Sequence, residues 1–331
     1  MNLQERIELM TELGNYLKEN NVQWQAVKEK AYQHNGWFTP EFTDYACQQI
    51  AENFLDKNKL QSWAEHYHID DNIIAKNVGI VMAGNIPLVG FQDFLAVFIS
   101  GHYQTIKLSS KDEVLLKHLV KVLCGMNAEM QNYISIAEML KGCDAYIATG
   151  SNNSGRYFEK YFANYPNIIR KNRTSAAVIS GDESQQELEK LSDDIHLYFG
   201  LGCRNVTKIF VPEKYNFVPL LKAFDKYKYF GDHHKYKNNF DYQLSVTLLN
   251  NVYYMTNDST LLIQNEGIFS PISQLHYQYY TQGQKPEEAL KKSDEVQCVV
   301  SKGEVKFGTT QQPELFTYAD GVDTMQFLLG L

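Results

Sequence analysis

Cys203 closes the run Tyr198-Phe199-Gly200-Leu201-Gly202-Cys203 and opens Arg204-Asn205-Val206-Thr207-Lys208-Ile209-Phe210-Val211-Pro212. A thiolate in that setting can attack an incoming carbonyl carbon. The two glycines permit torsions and close approaches that a Cβ forbids, and the apolar run that follows predicts a strand able to hold the thiol on a rigid element. A lone cysteine is more often a small buried hydrophobe; the glycine-flanked strand entry favours the nucleophile. Arg204 offers the positive charge that lowers a thiol's pKa.

Other polar residues recur at the ends of predicted strands. Ala83-Gly84-Asn85-Ile86-Pro87 ends one apolar run, and the Asn85 side-chain amide could donate to a developing oxyanion without adding charge. Taken alone it is an asparagine turn before a helix. Lys107 ends Gly101-His102-Tyr103-Gln104-Thr105-Ile106-Lys107, followed by Leu108, Ser109, Ser110 and Lys111. Thr149-Gly150-Ser151-Asn152 puts Gly150 and Ser151 at a predicted helix start, where free amides favour phosphate and a serine also caps the helix. The histidines stay unassigned: His233 and His234 are adjacent and point apart, and His196 reads as a helix residue.

These positions depend on an alternating α/β pattern. Residues 3–67 carry helical spacing (Leu9, Leu13, Tyr16, Leu17; Ala46, Ile50, Phe54, Leu55), with Thr39-Pro40 as an N-cap and first-turn proline. Strands are expected at 77–84, 105–108 and 145–148, separated by helices over 91–99 and 113–123. This is a doubly wound layout, whose ligands bind at strand carboxyl ends. A second α/β unit begins near Asn172, with strands at 176–179 and from Cys203, a helix over 217–227, and strands near 244–249 and 261–264. The expected organisation is a helical region 1–75, a nucleotide-binding domain 76–171, a catalytic domain 172–310 and a tail 311–331. No G-x-G-x-x-G occurs, so an ordinary dinucleotide fingerprint is absent.

Composition narrows the classes. The chain has 331 residues, a formal charge of −8 and 44% apolar residues, enough for a large core and against nucleic-acid binding as its main business. Five cysteines at irregular spacings, with no C-x-x-C pair, argue for a reduced, cytoplasmic setting and against a metal site. The most apolar stretch, 78–99, is broken by Asn85, Pro87, Gln92 and Asp93, and the N-terminus has no apolar signal core, so no membrane span is expected.

In this order the motifs resemble the aldehyde dehydrogenase superfamily, and within it the acyl-CoA reductase branch typified by LuxC, from about Trp37 to Phe316. The resemblance implies two doubly wound α/β domains, Asn85 as the oxyanion-directed asparagine, Cys203 as nucleophile, Lys107 at the adenosine ribose and Gly150-Ser151 as the pyrophosphate turn. It also makes Glu266-Gly267-Ile268-Phe269-Ser270-Pro271 the segment whose glutamate grips the nicotinamide ribose, with Phe269 near the nicotinamide. NAD-preferring relatives often carry glutamate three residues after the lysine; here Ser110 and Lys111 stand instead, which suits the 2′-phosphate of NADPH. Hydrolytic relatives carry a water-activating glutamate where Ile169-Arg170-Lys171-Asn172-Arg173-Thr174-Ser175 has no carboxylate.

The expectation is therefore NADPH-dependent reduction of an acyl-CoA, of fatty acyl type, to an aldehyde through a Cys203 acyl-enzyme. The alternatives are aldehyde oxidation to an acid, and a non-catalytic acyl- or nucleotide-binding subunit. The resemblance further implies a homo-oligomer, and an activated acyl donor or acyl-activating partner enzyme.

Overall fold

The computed structural model describes residues 1–281 and 283–331. The chain forms two compact units, one of residues 1–172 with 313–331 and one of residues 173–312.

The first unit opens with four helices, α1 (Leu3–Glu19), α2 (Val22–His34), α3 (Pro40–Gln49) and α4 (Lys57–His66). Side chains start each of them: Asn2 and Glu5 form a reciprocal capping box, Asn21 and Asp56 cap α2 and α4, and Thr39 caps α3 ahead of Pro40. Their apolar faces bury Met10, Leu13, Trp24 and Trp63 completely. Next come β1 (Asn77–Val81), α5 (Phe91–Ile99), β2 (Tyr103–Lys107), α6 (Val114–Met126), α7 (Met130–Tyr133), β3 (Ile134–Ile136), β4 (Ala145–Thr149), α8 (Asn152–Tyr161) and β5 (Asn167–Arg170). The strands make a wholly parallel sheet in the order β3-β2-β1-β4-β5, with Ile80 registered between Ile106 and Ile147. β4 is buried along nearly its whole length, as expected for a strand covered on both faces.

Residues 313–331 return to this unit. Tyr318, Met325 and Leu328 join its core. Trp63 Nε1 donates to Tyr318 Oη at 2.9 Å, and Tyr67 Oη donates to Asp323 at 2.6 Å. A buried ion pair between Arg170 and Asp93, with Arg170 also donating to Thr324 Oγ1 at 2.8 Å, fastens the C-terminal helix Thr324–Leu329 to β5 and α5.

The second unit comprises β6 (Thr174–Val178), α9 (Gln185–His196), β7 (Val206–Pro212), α10 (Val218–Phe224), α11 (His234–Leu249), β8 (Tyr254–Thr256), β9 (Leu261–Gln264), β10 (Gln274–Tyr280), α12 (Pro286–Leu290) and β11 (Val296–Val300). The sheet order is β11-β6-β7-β10-β9-β8, parallel except for β8. Ile179, Leu191, Ile209, Val211, Leu220, Phe224 and Leu275 fill the core between this sheet and α9 and α10. One expected strand is wrong: residues 244–249 are the last turns of α11. That helix buries only Tyr236 and Thr247, so it prints no helical stripe in the sequence. Among the described residues no helix is long and apolar enough to cross a membrane, and no group of three His, Cys, Asp or Glu side chains is placed to hold a metal ion.

Candidate active site

The first unit gathers Asn85, Lys107, Ser110, Lys111, Gly150 and Ser151 at the carboxyl ends of three adjacent strands, β2, β1 and β4. The turns after β1 and β2 interlock. A Cβ on Gly84 would lie 2.6 Å from Ser109 Oγ, so only glycine lets the Asn85 turn settle there. Asp112, buried, accepts the Leu88 amide at 2.7 Å through Oδ2, and Leu88 has a left-handed φ of 54°. Its Oδ1 is buried without a partner, and burial raises the carboxyl to about 7. From the helical side, His34 Nε2 lies 2.6 Å from the Ser110 carbonyl, and Asn35 donates to the Lys111 carbonyl at 3.2 Å. The side chains of Lys107, Ser110 and Lys111 are left exposed.

Ser151 caps α8, accepting the Ser154 amide at 3.3 Å. Gly150 packs so tightly under that helix that a Cβ would meet Ser154 Cβ and the Phe158 ring at 2.9 Å.

The second unit holds Cys203, Glu266 and Phe269. Three successive residues ahead of the cysteine, Tyr198, Phe199 and Gly200, have left-handed φ of 55°, 57° and 74°. L-residues visit that region singly as a rule, so the run needs external support. Asn205, fully buried, supplies it: its side-chain oxygen accepts the Gly202 amide at 2.8 Å, and its amide donates to the carbonyls of Leu197 at 2.9 Å and Asp194 at 3.1 Å. Cys203 thus sits half-buried on a braced turn at the head of β7. Ser175 donates to its carbonyl at 3.2 Å, and the Cys298 thiol lies 3.0 Å from the same hydroxyl. Burial pushes up the thiols of Cys47 (to about 12), Cys124, Cys143 and Cys298, the last against a downward pull from Ser175 and Arg204.

Glu266 follows β9 and is exposed, in a groove shared with Tyr253, Tyr277 and Tyr279. Its segment turns back over the sheet. Thr207 Oγ1 donates to the Ile268 carbonyl at 2.7 Å, and His276 Nδ1 lies 2.9 Å from the Gly267 carbonyl. Thr207 also meets Thr174 Oγ1 at 2.7 Å. His196 is enclosed in the core against Thr260 and the Tyr227 ring, and burial lowers it to about 4, so it stays neutral and structural. Asn205, Ser175, Asp112, Lys208 and His276 were not signalled by any motif. What marks them is tertiary: Asp112 reaches back to Leu88, Ser175 to Cys203 and Lys208 to Asn265, contacts that no local pattern reveals.

The fold is that of the aldehyde dehydrogenases. Aldehyde dehydrogenase 21 from Physcomitrella patens, solved with succinate, superposes with a TM-score of 0.67 at 12% identity, over 91% of this chain and 74% of that one. Betaine aldehyde dehydrogenase from Staphylococcus aureus with NAD+ gives 0.64 at 13%, over 91% and 71%. An NAD+ complex of an aldehyde dehydrogenase from Bacillus cereus gives 0.62 at 14%, over 91% and 72%. The family model described as acyl-CoA reductase (LuxC) matches residues 56–219, a span containing Asn85 and Cys203. No curated protein matches the chain in sequence. The chain thus has the aldehyde dehydrogenase fold, and over residues 56–219 it is similar to the LuxC acyl-CoA reductases.

Proposed function

We propose that this protein reduces an acyl-CoA, of fatty acyl type, to the aldehyde with NADPH, through an acyl-enzyme on Cys203. The observation that carries the reading is the Asn205-braced turn that holds Cys203 half-buried at the head of β7.

The Cys203 thiolate attacks the thioester carbon, with Arg204 favouring the thiolate. The Asn85 side-chain amide and the Cys203 main-chain amide receive the oxyanion. Collapse expels the CoA thiolate and leaves the acyl group on Cys203. A bound reduced dinucleotide would supply hydride to that acyl carbon. The resulting thiohemiacetal alkoxide would collapse, re-forming the carbonyl as the C–S bond breaks, and so release the aldehyde and return Cys203 as thiolate.

The residues suit such a cofactor. Lys107 would meet the adenosine ribose, Gly150 and Ser151 the pyrophosphate, and Glu266 and Phe269 the nicotinamide ribose and ring. Asp112, two residues after Ser110, is turned inward onto Leu88, and Glu113 is paired with Lys117, while Ser110 and Lys111 are exposed beside Lys107. That set accepts a 2′-phosphate. The stretch 169–175 bears no carboxylate; Ser175 offers Cys203 a hydroxyl, which is no base for activating water. The acyl group would therefore leave to hydride or a thiol, and the runner-up oxidation of aldehydes to acids is disfavoured.

Purified protein with NADPH and acyl-CoAs of graded length should consume NADPH and form aldehyde, and an acyl adduct should map to Cys203. Cys203→Ala should abolish turnover and keep NADPH binding within about twofold of wild type. Adduct on Cys124 or Cys298, or rapid release of free acid without a thiol acceptor, would overturn the reading.

A further inference from the structure

Lys208 is the least expected residue of the second unit. It sits in β7, five residues after Cys203, with its side chain wholly buried. Its ammonium contacts the Asn265 carbonyl and lies 5.3 Å above the Phe210 ring, and no carboxylate among the described residues pairs with it. An ammonium taken out of water without an acidic partner is costly. Its register partner Ala176 belongs to an apolar cluster with Val178 and Ile268, so a hydrophobe would suit that neighbourhood.

Its contact explains the charge. Residues 265–268 form no strand, yet Lys208, His276 and Thr207 hold the carbonyls of Asn265, Gly267 and Ile268 from the strands beneath. Glu266 lies inside this clamp, between the first two anchors. The Asn265 side chain closes the turn from within by accepting the Gly267 amide at 2.8 Å.

We propose that Lys208 is a positioning residue for Glu266: its buried ammonium fixes the Asn265 carbonyl and so holds the neighbouring carboxylate in place to meet a diol. This rests on the reading of Glu266 as the ribose-binding carboxylate. Among the described residues, the titratable groups that act on the ammonium are Glu266 from the loop after β9 and His276 from β10. Burial lowers Lys208 to about 8 and Glu266 draws it back up; burial and the Lys208 charge both lower His276, which stays neutral. As pH rises through about 8 the ammonium loses its proton, and the clamp keeps only a neutral amine.

The test is NADPH titration by protein fluorescence at pH 7 and pH 9, on wild type, Lys208→Met, Lys208→Arg and Glu266→Gln, with Cys203 alkylation by iodoacetamide as a second readout. Wild type should bind about tenfold more weakly at pH 9, the size of one charge-assisted contact. Lys208→Met should bind about tenfold more weakly at pH 7 with little further change at pH 9. Its alkylation rate should stay within about twofold of wild type. Lys208→Arg, charged at both values, should bind well and lose the pH step. A pH step that persists in Lys208→Arg would overturn the inference even if Lys208→Met fails to fold. Unchanged binding in Lys208→Met alongside weakened binding in Glu266→Gln would sink the role of Lys208 alone. Unchanged binding in Glu266→Gln would sink the ribose reading on which it depends.

Discussion

Single side chains carry two separable effects at the strand ends of the first unit. Asp112 ties Leu88 from the buried side of the turn that exposes Ser110 and Lys111. Its carboxyl titrates near 7 in the folded chain against about 4 unfolded, so the native state holds the extra proton between those values. Stability from this group is therefore greatest at acid pH and falls as pH rises from about 4 to 7. Asp112→Asn should remove that slope: relative to wild type, its urea midpoint should be higher at pH 8 than at pH 5. An equal difference at both values would mean that the carboxyl is not held neutral. On the solvent side, Ser110→Glu should weaken NADPH binding by about ten- to a hundredfold while leaving NADH little changed, the scale of a charge-assisted phosphate contact. Direct titration of both dinucleotides checks it, and equal losses for the two would exclude 2′-phosphate recognition here. Cys203, Asn85 and Glu266 could be singled out in the sequence because each sits in a short local motif. Asp112 could not, since what distinguishes it is burial, and burial is set by residues elsewhere in the chain.

Elements matter here mainly through how their ends meet. Gly84 and Ser109 close the gap between the loops after β1 and β2, at a distance that admits no Cβ. Gly84→Ala should cost about 1–3 kcal/mol and weaken dinucleotide binding. Ser109→Gly in the same chain should recover most of both, because it removes the atoms in collision. Thermal melts and fluorescence titration of the single and double variants test this, and a double variant no better than Gly84→Ala would place the clash elsewhere. The same scale separates what the sequence discloses from what it hides. β1, β2, β4 and β9 were legible because continuous apolar runs ending in glycine or polar turns are what covered parallel strands require. Residues 244–249 misled because Leu244-Ser245-Val246-Thr247-Leu248-Leu249 is rich in strand-forming side chains. The helix that owns them is half in solvent, and Leu249 is 82% exposed. Without a buried stripe, local composition outweighed a period that was never there.

At the scale of the molecule, the first unit is discontinuous and the second is not. Deleting residues 313–331 removes Tyr318, Met325 and Leu328 from the first core and leaves Trp63 Nε1 and Arg170 without their Tyr318 and Thr324 hydrogen bonds. At about 2–5 kcal/mol for each large buried side chain, the loss rivals the whole stability of an ordinary domain, about 5–15 kcal/mol. Limited proteolysis of the truncated chain should therefore digest residues 1–172 and spare a fragment spanning about 173–312. Survival of both, with NADPH still bound, would show that the returning segment is dispensable. The same discontinuity sets a schedule during synthesis. A ribosome delivers the four opening helices and the first sheet long before Tyr318 and Thr324, so that core stays open, with Trp63 and Arg170 unsealed, while the contiguous second unit has every residue it needs to fold. The half of the molecule that is made first is the half that is finished last.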